Sequence, residues 1–388
     1  MSLALPFHTV SQSGRQRVLF VQVTEPGAYP PLISATQIMA DAGWEVVVLA
    51  SPNAESTLRM PPHPSITIHQ TPKRPSYIVR KLDFLRYMSS AARLALRWRP
   101  HVVYASDPLG ALPGLLAARL AGARLVYHEH DNPSSQRELN PVLRIGRRKA
   151  MQRAHCIVFP NAERAACAYR ELAFPEDRLR IVWNVPRRSE IPNIVRTPNE
   201  RIVVYYHGSI VPDRLPRTVP EALKVFGNSC VLRIAGYETV SGRGYVAALQ
   251  NEFGRYPEGG LIEYVGSITR DKLLLSAATA DIGLALMPMD SNDLNMRCMT
   301  GASNKAFDYM AAGLPLIVSD LPDWRALFVT CGHALPADPR NPDSIAKALK
   351  TLIDNPKLRR EMGKRNRDRI AAEWNYETQF APVLEMLR

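Results

Sequence analysis

Read for its alternation of apolar and polar positions, the chain repeats one unit: a short apolar run, then a segment with helical spacing. "RVLFVQV" from Arg17 reads as a buried strand, "LISATQIMADAG" as the helix after the loop "TEPGAYPP", and "EVVVLA" as the next strand. The same grammar returns in "HVVYAS", "PLGALPGLLAARLAGA" and "RLVYHEH", and "HCIVF" and "RIVWNV" close this first series. Proline and polar residues then take over in "PRRSEIPNIVRTPNE", a linker by composition. A second series begins at "RIVVYYHGS" and runs through "VLRIAGYE", "IEYVGS", "DIGLALMP" and "LPLIVSD". Strands that alternate with helices build mostly parallel sheets, so the expected class is α/β with two Rossmann-like β/α/β domains. The expected boundaries are 1–190 and 191–372, with a final helix over 373–388.

The stretch "NKAFDYMAAGLPLIVSD", residues 304–320, places a lysine where a helix should repel it. Ser303 or Asn304 caps, Phe307, Met310 and Ala311 recur at helical spacing, and Gly313 before Pro315 ends the run. Four unpaired N–H groups make a first turn positive, so Lys305 there implies a shared negative partner. Two readings stand. Lys305 pairs with Asp308 on a solvated face, or it holds an anion together with the helix amides and the small residues Gly301, Ala302 and Ser303.

Length, charge and cysteines narrow the class. A chain of 388 residues exceeds what one core usually serves, which supports two domains. Five scattered cysteines without a C-x-x-C argue against a disulfide framework or zinc site and for a reducing cytoplasm. No apolar run reaches membrane-spanning length, and "MSLALPFHTVSQSGRQR" lacks the order of a signal peptide. The formal net charge of +13 suits nucleic acid, an anionic membrane or a negatively charged small substrate.

Three stretches together resemble the retaining nucleotide-sugar glycosyltransferases of the GT-B fold, family four (group one). They are the 304–320 segment, "YASDPLGALPGLLAARLAGARLVYHEHD" and "RIVWNVP", with "YYHGSI" and "IEYVGSI" in the expected order. The resemblance implies two domains facing across a cleft, with the 373–388 helix crossing back to the first domain and Trp374 packed near the hinge, and no cofactor beyond the co-substrate, a UDP- or GDP-linked sugar. It implies that Lys305 binds the donor diphosphate and Asp308 the ribose. Gly208 and Ser209 then lie close to the diphosphate with a basic residue downstream, Arg214 in preference to Arg217. Tyr237 is a candidate to stack on the base. His130 contacts the transferred sugar or orients the acceptor, and Gly27, Asp107 and Asp131 lie on the acceptor side; for Asp107, capping the following helix is the simpler role. His128 is expected on the other side of its strand or in the core. Two departures stand out: Asp308 replaces a common glutamate, and Thr300 stands where a second glutamate is usual. Arg297 is one candidate to substitute.

The resemblance further implies front-face substitution, in which the departing phosphate oxygen takes the acceptor's proton. That reading needs no paired carboxylates of glycosidase type. A metal is not expected, since Lys305, an arginine and helix amides neutralise the diphosphate. The positive charge clusters at residues 80–99 and 144–153. On the first of these helices Leu85, Met88, Ala92 and Leu96 form an apolar stripe flanked by Lys81, Arg86, Arg93 and Arg97. The stripe either packs inward or lies on an anionic membrane, which would make the acceptor a lipid-linked saccharide and place the protein on the inner membrane face. A soluble saccharide or natural-product acceptor is the other case. Two further readings are a GT-B nucleotide-sugar epimerase and a basic nucleic-acid-binding protein. The first should carry acid-base carboxylates and the second basic patches interleaved with aromatics, and neither feature is seen.

Overall fold

The computed structural model describes residues 14–51, 60–71, 77–133, 139–194, 197–239, 242–256 and 259–388, leaving aside the side chains of 28 and 77–81. The chain divides into two compact units, Met1–His128 with Asn140–Ile157 and Met386–Arg388, and Glu129–Leu139 with Val158–Glu385.

One parallel sheet has seven strands, β1 (Arg17–Gln22), β2 (Glu45–Ala50), β3 (Ile66–Gln70), β4 (Val102–Ser106), β5 (Arg124–His128), β6 (Cys156–Phe159) and β7 (Leu179–Ile181), in the order β3-β2-β1-β4-β5-β6-β7. Its helices are α1 (Pro30–Asp41), α2 (Tyr77–Trp98), α3 (Asp107–Ala121), α4 (Pro141–Arg153) and α5 (Ala162–Leu172). A second parallel sheet has six, β8 (Ile202–Ile210), β9 (Cys230–Glu238), β10 (Ile262–Gly266), β11 (Ile282–Ala285), β12 (Leu316–Ser319) and β13 (Ala334–Ala337), in the order β10-β9-β8-β11-β12-β13. Its helices are α6 (Thr218–Lys224), α7 (Tyr245–Phe253), α8 (Arg270–Ala278), α9 (Leu294–Arg297), α10 (Asn304–Ala311), α11 (Pro322–Trp324), α12 (Pro342–Ile353) and α13 (Pro356–Ala372), followed by α14 (Tyr376–Leu387). Two sheets of this kind, each with its own helices, are two Rossmann-like domains.

The central strands are the continuous apolar runs of the sequence, because strands covered on both faces have no polar side to show. Strand β3 and strand β13 lie outside the sequence reading. Both are edge strands, and "ITIHQ" is half-exposed, which breaks up its apolar run. Of "RIVWNV" only Arg180 and Ile181 lie in a strand, β7. Trp183 beyond it turns into an aromatic cluster, 5.7 Å from both Phe307 and Trp374 between ring centroids.

Helix α2 differs from an ordinary amphipathic helix. Tyr87, Ala91, Leu94 and Ala95 face the core, and the Tyr87 hydroxyl donates to the Leu49 carbonyl at 2.7 Å. Of the apolar stripe read from the sequence, Leu85 is 58% and Leu96 54% exposed, with Leu82 beside them at 51%. The inward-packing alternative therefore does not hold for these leucines. Helix α4 likewise exposes Val142 and Ile145 among Arg144, Arg148 and Lys149. The Lys81 side chain lies outside the described residues. No helix among the described residues is long and apolar enough to cross a membrane.

Candidate functional site

The carboxyl end of β8 is shaped by two glycines. Gly208 has φ +105° and Gly236 has φ +144°, and a Cβ on Gly236 would stand 1.9 Å from the Gly208 carbonyl oxygen. The absence of a side chain on Gly208 leaves room for Lys305, whose Nζ lies 3.0 Å from where a Gly208 Cβ would be. Ser209 follows Gly208 and is paired in register with Tyr237 on β9, whose ring is exposed.

Lys305 sits in the first turn of α10, a helix whose residues Lys305–Ala311 are all buried. A solvated Lys305–Asp308 pair is thereby excluded, since the two residues are 6% and 0% exposed. Ser303 occupies the N-cap position but makes no side-chain cap. The Ala302 and Ser303 amides both donate to the Met299 carbonyl, and Gly301, at φ +76°, packs its backbone against Trp183 and Pro160. The amides left unpaired by helix geometry are therefore those of the α10 first turn. Lys305 Nζ lies 5.4 Å from the centroid of the Tyr206 ring. Burial, aided by the charge of Arg214 and opposed by Asp308, lowers the Lys305 ammonium from its usual range to about 7.

Arg214 turns back toward the same point, donating to Ser209 Oγ at 2.9 Å and to Met296 Sδ at 3.0 Å. Neither partner carries charge. Among the described residues no carboxylate lies within ion-pair distance of Lys305 or Arg214. Arg217 instead points away, bound to Glu221 and Glu252, and holds the N-cap position of α6.

Asp308 turns inward. Arg270 binds both of its oxygens, Nη1 to Oδ2 at 2.9 Å and Nη2 to Oδ1 at 2.8 Å, and His207 Nε2 lies 3.3 Å from Oδ2. Arg270 also donates to Glu190 at 2.7 Å. Burial alone would raise the Asp308 carboxyl, but Arg270 and His207 overcome it and hold the group below the usual carboxylate range. The carboxylate expected to be open to ribose is thus already engaged in a buried network that the sequence reading missed. Arg270 and Glu190 are far from it in the chain, and nothing local marks them.

A second buried cation, also missed, organises the neighbouring loops. Arg164 on α5 donates to the His130 carbonyl, to Asp131 Oδ1 at 2.9 Å, and to the carbonyls of Asn295 and Cys298 at 3.0 Å each. Asn161, which caps α5, reaches the Cys298 and Thr300 carbonyls at 2.9 and 2.8 Å. Asn132 and Asn295 complete the join, the Asn132 amide donating to Asn295 Oδ1 at 2.7 Å and Asn295 Nδ2 to the Asn132 carbonyl at 3.0 Å. The segment holding His130 and Asp131 and the loop leading into α10 are thereby one piece. The only sequence signal was Asn161, a good cap before "AERAA".

His130 lies two residues beyond the end of β5 and is 5% exposed. Burial, with a smaller opposing effect from Asp131, pushes its imidazole down to about 4, so it is neutral at physiological pH. Thr300 donates its hydroxyl to Asp323, and Arg297 is exposed on α9. Gly27 and Asp107 belong to the other unit. Gly27 lies in the 3-10 turn Pro26–Ala28. Asp107 opens α3 with a left-handed backbone, φ +59°, and Ser106 takes the N-cap position. His128 is in the core, its Nδ1 2.8 Å from the Tyr104 hydroxyl.

Two family descriptions match the chain, "Glycosyl transferase 4-like domain" over residues 35–184 and "Glycosyl transferase-like" over residues 214–385. Similar solved structures include sucrose-phosphate synthase from Thermosynechococcus elongatus, with 16% identity, a TM-score of 0.71 and coverage of 96% of this chain and 98% of that one. HepE from Anabaena in complex with UDP and glucose has 14% identity, a TM-score of 0.66 and coverage of 96% and 99%. WaaG, a glycosyltransferase involved in lipopolysaccharide biosynthesis, has 12% identity, a TM-score of 0.64 and coverage of 95% and 99%. No curated protein sequence matches the chain. The parallel sheets, the glycine-lined end of β8 beside the Lys305 helix, and the two matched segments in this order agree, and the chain belongs to the GT-B glycosyltransferases of the GT4/GT1 group.

Proposed function

We propose that the protein transfers a sugar, with retention of configuration, from a nucleoside-diphosphate sugar to a hydroxyl acceptor. The observation that carries this is a buried Lys305 and a partly buried Arg214 beside it, at the uncapped first turn of α10 with no anion among the described residues to match them. A diphosphate supplies the missing charge and accepts from the helix amides. As the glycosidic bond breaks, negative charge grows on the leaving phosphate, and cations already in place stabilise that state more than the ground state. The same two side chains remove the need for a metal at the diphosphate. Gly208 and Ser209 line the approach, Tyr237 stacks on the base, and Asp308 acts through Arg270 and His207 to set the floor. Neutral His130 offers a hydrogen bond to the transferred sugar, with Asp131, Asp107 and Gly27 on the acceptor side. In the front-face course the acceptor hydroxyl attacks the anomeric carbon as the bond to the phosphate oxygen breaks, and that oxygen takes the proton.

Thermal-shift titration with UDP, GDP, ADP and dTDP, all in EDTA, tests the reading, because a ligand that binds only the folded state raises its melting temperature. UDP or GDP is expected to stabilise the wild type and to leave Lys305→Met unmoved. Stabilisation that survives the substitution overturns the assignment of Lys305 to the diphosphate, and stabilisation that appears only when magnesium is restored overturns the metal-free reading. Product analysis with a hydroxyl acceptor separates transfer from epimerisation of the donor.

We further propose that the enzyme works at an anionic membrane surface on the cytoplasmic side, with a lipid-linked saccharide as acceptor. The support is the outward face of α2 and α4, where exposed Leu85, Leu96, Val142 and Ile145 stand among arginines. Apolar side chains enter the headgroup boundary while the basic ones meet anionic lipid. Sedimentation with phosphatidylglycerol vesicles is expected to pellet the protein, and phosphatidylcholine vesicles or Leu85→Glu with Leu96→Glu to leave it in solution. Equal behaviour on both lipids refutes the proposal.

A further inference from the structure

Arg270 stands between two carboxylates and leaves neither open. Asp308 Oδ1 accepts from Arg270 Nη2 at 2.8 Å and Oδ2 from Nη1 at 2.9 Å, with His207 Nε2 3.3 Å from Oδ2, and the carboxylate has no exposed surface. Glu190 is engaged in the same way: Oε1 accepts from Arg270 Nε at 2.7 Å and Oε2 from the Arg187 amide at 2.8 Å. His207 is fixed in turn, its amide donating to the Tyr309 hydroxyl at 2.9 Å and its ring lying 4.9 Å from the Tyr309 ring. All of these residues belong to one unit.

The place of this network bears on any nucleotide bound beside it. Asp308 lies one turn beyond Lys305 on α10, and it is the carboxylate whose charge acts on the Lys305 ammonium. A diphosphate held at Lys305 therefore brings its pentose toward the same turn, where an open carboxylate would accept from the ring hydroxyls. One such bond, to a charged acceptor, is worth about tenfold or more in affinity. Taking it here means withdrawing Asp308 from a buried, two-pronged ion pair, and breaking a buried ion pair costs more than one such bond returns.

We propose that Arg270 determines the pentose specificity of the donor site: by keeping Asp308 for itself it leaves the ribose hydroxyls unread by that carboxylate, and the site binds 2′-deoxyribonucleoside diphosphates as well as ribonucleoside diphosphates. Affinity then comes from the diphosphate, held by Lys305, Arg214 and the α10 amides, and from the base. This rests on the nucleoside-diphosphate reading above and sets which pentose that donor carries.

The test is calorimetric titration of the full chain with UDP and GDP, each beside its 2′-deoxy and 2′,3′-dideoxy analogues. For whichever base binds, the deoxy analogues are expected to bind the wild type less than about fivefold more weakly than the parent, short of the loss that a carboxylate contact gives. A wild-type penalty of about fivefold or more overturns the inference while the donor reading stands. If neither UDP nor GDP binds, the donor reading fails and the inference falls with it. Arg270→Lys supplies the second arm, because lysine reaches one oxygen at a time and releases the other to accept. Its preference for the ribonucleotide over the deoxy analogue is expected to rise by about fivefold. A merely structural arginine would lower the melting temperature and weaken every nucleotide alike, so an unchanged ratio in Arg270→Lys overturns the assignment to Arg270. The wild-type ratio decides by itself where that variant is too unstable to titrate.

Discussion

Replacing Lys305 with methionine is expected to make the unliganded protein more stable while abolishing its response to nucleotide. The ammonium is buried beside a second cation, and its fall from 10.5 to about 7 measures what the folded state loses by keeping it charged. A full shift of that size corresponds to roughly 4–5 kcal/mol, and relaxation of the site reduces what is recovered to about 1–3 kcal/mol. Methionine keeps the stem's packing and removes the charge. The pH dependence has a definite sign. Between about 7 and 10.5 the unfolded chain binds a proton that the folded chain has released, so wild-type stability relative to Lys305→Met rises through that window. Below about 7 both states are charged and the penalty is complete and constant. A bound diphosphate restores the proton, so nucleotide affinity is expected to fall as pH rises above 7. Denaturant unfolding from pH 6 to 10 and calorimetry in buffers of different ionisation enthalpy check the two halves. A variant less stable than wild type at pH 6 refutes the argument.

Arg270→Met is expected to be the most destabilising single change near the site. Asp308 has no exposed surface, and Arg270 supplies both of its strong bonds while also holding Glu190. Removing one partner of a buried ion pair strands the other charge, at about 3–5 kcal/mol. Lysine at 270 restores the charge but not the two-pronged geometry, so it should recover only part of the loss. Replacing Asp308 by asparagine together with Arg270→Met should be milder than the single change, because no charge is left buried alone. The pair also sets an acid limit. Asp308 titrates below its unfolded value, so its contribution is present above pH about 4 and is lost as pH falls through the folded value. Urea unfolding of the three variants at pH 7 decides the matter. If Arg270→Met lies within about 1 kcal/mol of wild type, burial of the Asp308 charge has been overestimated.

The reach of a side chain explains which residues could be read in advance. Gly208, Ser209 and Lys305 announce themselves locally: a glycine-serine pair at a strand end, and a cation at the wrong end of a helix. Arg164 and Arg270 look like two more surface arginines in a chain rich in them. Only their partners reveal them, and those partners lie 131 and 38 residues away. The α2 stripe fails in another way. Its apolar spacing is real, but spacing does not say which of two apolar faces meets the core, and Tyr87, Ala91 and Ala95 won that place over Leu85 and Leu96.

The sequence by itself determined the two parallel sheets, the segments that form their inner strands and the position of the Lys305 helix. These follow from apolar runs, helical spacing and glycine punctuation within a few residues of one another. Tertiary structure alone decided that Lys305 is buried beside Arg214 and that Asp308 is taken by Arg270 and His207. Charge pairing and burial depend on what the fold brings within a few ångströms, and chain proximity carries no record of it.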